Sequence, residues 1–279
     1  MINFERIATV AIGKPGENGV LIQDNRIQFR VLKTDKPETN SMAVTVYNLN
    51  ESTRQLFETT QNRVVLSCGY AGGQVLQVAV GDISYGITEY MHPDVLSTAE
   101  CGDGLVKLRE SRVSLSYASS VGVQQVIADI AKSMGLKQRP TLAPLNGRYQ
   151  NGWSYVGGAK AALEQVTNRF DLEWSVQSEE LQIVERRKPA TREIILINPS
   201  TGMIRSPKRK DQTETERKKN KQPPGIEVEL LLNPAIEPGA IVALESRDID
   251  RAQYRVRTVE HRGDTRGPEW TTTLNVVEI

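Results

Sequence analysis

The stretch Val123-Gln124-Gln125-Val126-Ile127-Ala128-Asp129-Ile130-Ala131-Lys132-Ser133-Met134-Gly135-Leu136 decides how the chain is divided. Its apolar residues Val123, Val126, Ile127, Ile130, Ala131 and Met134 recur at i, i+3, i+4, i+7, i+8 and i+11, so one helical face is apolar. Gly135 stands where a helix ends in the left-handed conformation, and Leu136 is placed to fold back onto the last turn. A second helix repeats the pattern with Ala159, Ala162, Leu163, Val166 and Phe170. A hairpin follows, with residues 172–176 set against 181–184. The centre of the chain, 107–190, thus reads as a compact α+β insert of two helices and a hairpin.

On both sides the period changes from helical to alternating. Ile27-Gln28-Phe29-Arg30-Val31 alternates apolar and polar residues as a half-buried strand does. Residues 42–49 form a second strand, rich in β-branched side chains. Residues 63–70 and 75–83 make a hairpin around Ala71-Gly72-Gly73, and 95–101 precede Gly102-Asp103-Gly104. Between them Asn50 to Phe57 reads as one or two helical turns capped by Asn50 or Ser52. The regular strand spacing predicts a barrel or sandwich over 1–106.

Residues 191–279 are strand-like again, with candidates at 193–197, 226–232, 240–245, 254–261 and 270–277. Asn233-Pro234, Pro238-Gly239 and Gly267-Pro268 punctuate them. Residues 208–222 hold no apolar side chain and cannot bury enough surface to offset chain entropy, so a mobile basic loop is predicted over 207–223. The fold class is mainly β with an α+β insert: β, α+β, β.

Bulk properties narrow the function. Of 279 residues, 25% are charged and the net charge is +1, which argues against a nucleic-acid coating protein. No leader pattern opens the sequence, and no run approaches the roughly 18 apolar residues of a membrane span. Assembly in a cytoplasm is expected. The two cysteines, Cys68 and Cys101, lie in strand-like runs and read as buried hydrophobes. They are too few for a structural zinc site, and no metal or cofactor is predicted.

Candidate chemistry is thin. His261 and Asp264 have the residue types of a base and its orienter, but no nucleophile accompanies them and the intervening Arg262-Gly263 reads as a turn. His92-Pro93-Asp94 reads as a hairpin turn. Gly157-Gly158-Ala159-Lys160 lacks the Gly-Lys-Ser/Thr ending of a phosphate loop, shows no clear preceding strand, and reads as a helix entry. Asp82, Asp94 and Asp103 are carboxylates scattered near turns. Lys208, Arg209 and Lys210, with Arg217, Lys218 and Lys219, form basic clusters interrupted by acidic residues and without interleaved aromatics. That pattern fits a solvated loop that orders against a partner better than a nucleic-acid site.

In order and spacing, a set of short motifs resembles the central hub proteins of tailed-phage baseplates, over nearly the whole chain. They are Val44-Thr45-Val46-Tyr47-Asn48-Leu49 with Ser52-Thr53-Arg54, Cys68-Gly69-Tyr70, Val80-Gly81-Asp82-Ile83 and Gly102-Asp103-Gly104. After the insert come Thr201-Gly202-Met203-Ile204, Leu231-Leu232-Asn233-Pro234, Pro238-Gly239, Glu260-His261-Arg262-Gly263-Asp264 and Trp270-Thr271-Thr272. The resemblance implies two tail-tube-like β domains flanking the insert. It further implies a homotrimeric ring that adapts a sixfold tail tube to a threefold central spike in the virion baseplate. Implied partners are the tail tube or distal tube protein, the spike, other baseplate subunits, and DNA or tape-measure protein passing through the lumen. No enzymatic activity is expected. Tyr47, Asn48 and Leu49 in the first β region, and Leu232, Asn233 and Pro234 in the last, are the candidate assembly residues, with the basic clusters. The competing reading is a tail-tip cell-wall hydrolase or glycan-binding module, with the insert as its active part.

Overall fold

The computed structural model describes residues 5–209 and 225–279. Its first part contains β1 (Arg6–Gly13), β2 (Val20–Ile22), β3 (Ile27–Thr34), β4 (Ser41–Tyr47), α1 (Glu51–Glu58), β5 (Arg63–Tyr70), β6 (Val75–Met91) and β7 (Asp94–Gly102). Alternation works as expected: Ile27, Phe29 and Val31 of β3 are buried, whereas Arg30 and Leu32 face out. Asn50 caps α1 by accepting from the Thr53 N–H. Strand β1 was not among the expected strands, yet its Ala8, Val10 and Ile12 enter the core at period two. Strand β6 runs past residue 83 to Met91, because β7 pairs with it as far as Met91↔Asp94.

The insert comprises α2 (Leu105–Glu110), β8 (Arg112–Tyr117), β9 (Val121–Gly122), α3 (Val123–Ser133), β10 (Lys137–Gln138), β11 (Arg148–Tyr149), β12 (Trp153–Gly158), α4 (Ala159–Arg169), β13 (Leu172–Gln177) and β14 (Glu180–Glu185). Helix α3 ends as its sequence predicts. Gly135 has φ +65°, its N–H donates to Lys132 O, and the Leu136 N–H donates to Ala131 O. The insert holds more than two helices and one hairpin: β8 pairs with β12, β9 with β11, and β10 joins β14 in parallel. Strand β12 runs directly into α4, correcting the expectation that no strand precedes Gly157-Gly158. The helix entry itself is as expected, with Gly158 at the N-cap.

The last part contains β15 (Ile194–Ile197), β16 (Lys208–Arg209), β17 (Ile226–Leu231), β18 (Ile241–Ser246), β19 (Ile249–Asp264) and β20 (Trp270–Glu278). Lys208 and Arg209, expected to open a mobile loop, instead pair with Glu227 and Ile226. Backbone hydrogen bonding along an available strand edge outweighs their lack of apolar side chains. The rest of that loop, 210–223, lies outside the described residues.

The two β regions are not separate sheets. Among the described residues one sheet of 13 strands runs β16-β17-β20-β19-β3-β4-β7-β6-β5-β1-β2, with β18 joined to β19 and β15 to β18. The 16-residue β19 makes this possible. Its first half pairs with β18, its second half with β3, and β20 lies along most of it. Three apolar cores result: one under the first strands, one inside the insert, one under the last strands. Leu232 and Trp270, late in sequence, belong to the first core, where Trp270 meets Phe29 edge to face at 5.5 Å.

Candidate assembly surfaces

The residues with reactive chemistry are occupied in holding the fold. Cys68 and Cys101 are free and buried, and burial pushes both thiols up, Cys101 to about 12. His261 is completely buried on β19, with Nδ1 2.9 Å from the Thr272 hydroxyl. Burial, helped by Lys33, pushes its pKa down to about 3, so the ring is neutral. Asp264 does not orient it. Its carboxylate accepts from Arg26 (2.6 and 3.1 Å), Gln28 (2.8 Å) and the Arg266 N–H (2.9 Å). Burial works upward on Asp264, but these donors prevail and hold it well below the usual carboxylate range. Of the scattered carboxylates, Asp82 pairs with Arg63, Asp94 accepts from Asn48, and Asp103 accepts from the Ser178 and Glu179 N–H groups. Among the described residues no group of His, Cys, Asp and Glu has the arrangement of a metal site.

The candidate assembly residues fall in three places. Tyr47 ends β4 under the Arg26 guanidinium, 4.6 Å from its ring centre, and its hydroxyl donates to Gln28. Asn48 adopts φ +56°, and its side chain ties β7 down by donating to Asp94 and accepting from the Val95 N–H. Leu49 is buried in the first core. Together with Asp24, Asn25 and Arg266, Tyr47 and Asn48 line an open surface cavity. Leu232 is buried in that same core, the Asn233 N–H donates to the Thr272 hydroxyl, and Pro234 follows half-buried. Lys208 and Arg209 are exposed on β16, at the end of the sheet opposite β2. Lys210, Arg217, Lys218 and Lys219 lie outside the described residues.

Sequence reasoning missed the polar junction that fixes the insert to both β regions. Gln177, Ser178, Glu179 and Glu180 form the turn between β13 and β14, with Ser178 and Glu179 both at positive φ. Asp103 receives their two N–H groups at 2.7 and 2.8 Å, and Asn40 donates to Val176 O and Gln177 Oε1. Glu237 bridges Lys33 of β3 and Arg139 of the insert. Burial alone would raise Glu237, but the two cations hold it at about 2. Nearby, Arg255 of β19 pairs with Asp35 (2.8 Å) and with Glu173 of the insert (2.9 Å). One signal was legible: Lys33 continues the inward series Ile27, Phe29, Val31, so a buried cation needing a partner was written into β3.

Apolar side chains are also exposed beyond the cores, Val156 of β12 among them at 80%. The tip of the β6–β7 hairpin presents Tyr90 and Met91, 74% and 61% exposed, and β2 presents Val20 and Leu21 at the sheet's end. The described residues contain no helix long and apolar enough to cross a membrane.

No protein-family model matches the sequence, and no curated protein matches it. Solved structures do match in shape. The 43 kDa tail protein of prophage MuSo2 from Shewanella oneidensis superposes with TM-score 0.68 at 9% identity, covering 97% of this chain and 96% of that one. The tail protein of Neisseria meningitidis gives 0.65 at 11% identity, over 96% of both chains. An Escherichia coli component of the type VI secretion system, described as structurally similar to phage T4 tail proteins, gives 0.61 at 9% identity, over 96% of this chain and 76% of that one. At these identities the likeness is one of fold: this chain, mainly β with an α+β insert, superposes on these proteins over nearly its whole length.

Proposed function

We propose that this chain is a structural hub of a phage tail baseplate, acting without catalysis as a homotrimeric ring between a sixfold tail tube and a threefold central spike. The observation that carries the reading is the superposition on tail proteins from end to end, insert included. The continuous sheet supports it physically. Two β regions joined through β19 share one sheet, and among the described residues that sheet ends at β2 and β16, edges that neighbours can complete. In this reading 1–106, 107–190 and 191–279 are the two tube-like units and the insert between them. Tyr47, Asn48 and the β16 cations then lie at or near the contacts, with the tube, the spike and other baseplate subunits as neighbours, and the lumen admits passing DNA or tape-measure protein. The chain would be made in the host cytoplasm and reside at the tail's distal end.

Quantitative mass spectrometry of purified particles tests the proposal. Three copies per particle, in fixed ratio to the tube subunit, are expected. Absence of the chain from intact particles would overturn it.

A further inference from the structure

We propose that the insert is hinged: it rocks as a unit against the shared sheet about its two chain crossings, with the ion pairs of the junction as a latch. The first observation is the separation of the cores. Every member of the insert's core lies between Leu108 and Ile183, and neither of the other cores draws a residue from that span. Apart from α2 against β6, no strand or helix of the insert makes extended contact with a strand of either β region. Among the described residues the junction is therefore made by turns and connecting segments, and its contacts are polar: Asp103 with the 178–179 turn, Glu237 with Arg139, and Arg255 with Glu173.

The two kinds of contact respond differently to movement. Apolar burial is non-directional, so a core of its own keeps the insert intact whatever its angle to the sheet. In the latch, Glu237 and Glu173 each keep 29% of the side chain exposed. Attraction between partly exposed charges depends on their placement and weakens with salt. Polar junctions of this kind are those across which parts of one chain move. Geometry supplies the pivot and the room. The chain enters the insert through Gly102-Asp103-Gly104, with Gly104 at φ +64°, and leaves it through residues 186–189, with Arg187 at φ +63°. Hinges are built from a few such residues at the ends of elements. Asp103 lies in the entry itself, so its hold on the 178–179 turn sits at the pivot. Two clefts meet at the Arg255–Glu173 pair. One, of about 350 Å³, opens between 35–37 and the α4–β13 side of the insert, and the other, of about 240 Å³, lies between Glu173 and the end of β20. A junction packed like a protein interior would leave no such space. The insert thus has room to tilt without opening a core.

This inference does not depend on the hub reading, and it is tested on the full chain alone. Cys68 and Cys101 are buried, so spin labels attach selectively at introduced cysteines. Double electron–electron resonance between Lys160→Cys on α4 and Glu245→Cys on β18 reads the angle of the insert to the sheet. The pair Lys132→Cys and Lys160→Cys reads the insert by itself, and all three positions are exposed. Two distances are expected across the junction. The minor one should grow at least about threefold in Glu237→Gln, and likewise in the chain with Glu237 intact when NaCl rises from about 0.05 to about 0.5 M. The distance within the insert should stay single throughout. One unchanged distance across the junction, at both salt concentrations and in Glu237→Gln, overturns the proposal. Broadening within the insert alongside any change across the junction overturns it as well, since the insert would then be loosening rather than turning.

Discussion

At the scale of single residues, the buried polar groups are the informative ones. Asp103 receives two backbone N–H groups in a site where water cannot replace it. We expect Asp103→Ala to destabilise the protein by about 1–3 kcal/mol in urea unfolding, the usual result of stranding buried donors. Surface Asp250→Ala should change little by the same measurement. His261 gives a pH signature. Its folded pKa of about 3 lies below the ordinary 6.5, so between those values the unfolded chain takes up a proton that the folded chain refuses. Its effect is therefore a loss of stability as pH falls from about 6.5. Glu237, depressed to about 2 from 4.5, adds a loss of the same sign only below about 4.5. Comparing urea midpoints of wild type and His261→Gln from pH 7 to pH 5 isolates the first group. The variant should show the shallower decline over that window.

Elements carry their own predictions. The end of α3 depends on Gly135 at φ +65°, and an added Cβ there would meet no neighbour within 4 Å. Gly135→Ala should therefore cost only the conformational penalty, about 1 kcal/mol, visible as a lowered unfolding midpoint. Gly86 is different in kind. Its Cα lies so close to the carbonyl of Phe57 that a Cβ would collide with backbone. Gly86→Ala should push α1 off β6, with a larger loss of stability and raised amide exchange in 51–58 that Gly135→Ala does not produce. Helices α1, α3 and α4 and most strands were legible because their periods are local; the six-residue α2 was not foreseen. The short pairs β9–β11 and β10–β14 were not, since two-residue strands have no period to read.

For the whole molecule, the decisive feature is the sharing of β19 and Trp270 between regions far apart in sequence. Removing Trp270 should damage the first core although it lies in the last strand. Trp270→Ala is expected to cost about 3–5 kcal/mol, and hydrogen exchange should rise in β3 and β5 as well as in β20. By the same logic residues 1–106 alone should fail to fold cooperatively, having lost the β19 partner of β3. A sharp urea transition in that fragment would contradict this.

By itself the sequence determined the local periods, the α3 terminus and the β, α+β, β order, and narrowed the α1 cap to Asn50 or Ser52, because side-chain alternation and capping act over a few residues. It also marked His261, Asp264 and the cysteines as poor candidates for catalysis. Only the tertiary structure decided that β3 pairs with β19, that Trp270 completes the first core, and that Glu237 joins Lys33 to Arg139. Contacts of that kind join residues up to hundreds of positions apart, and they depend on which strand edges and buried charges find each other once the chain has collapsed.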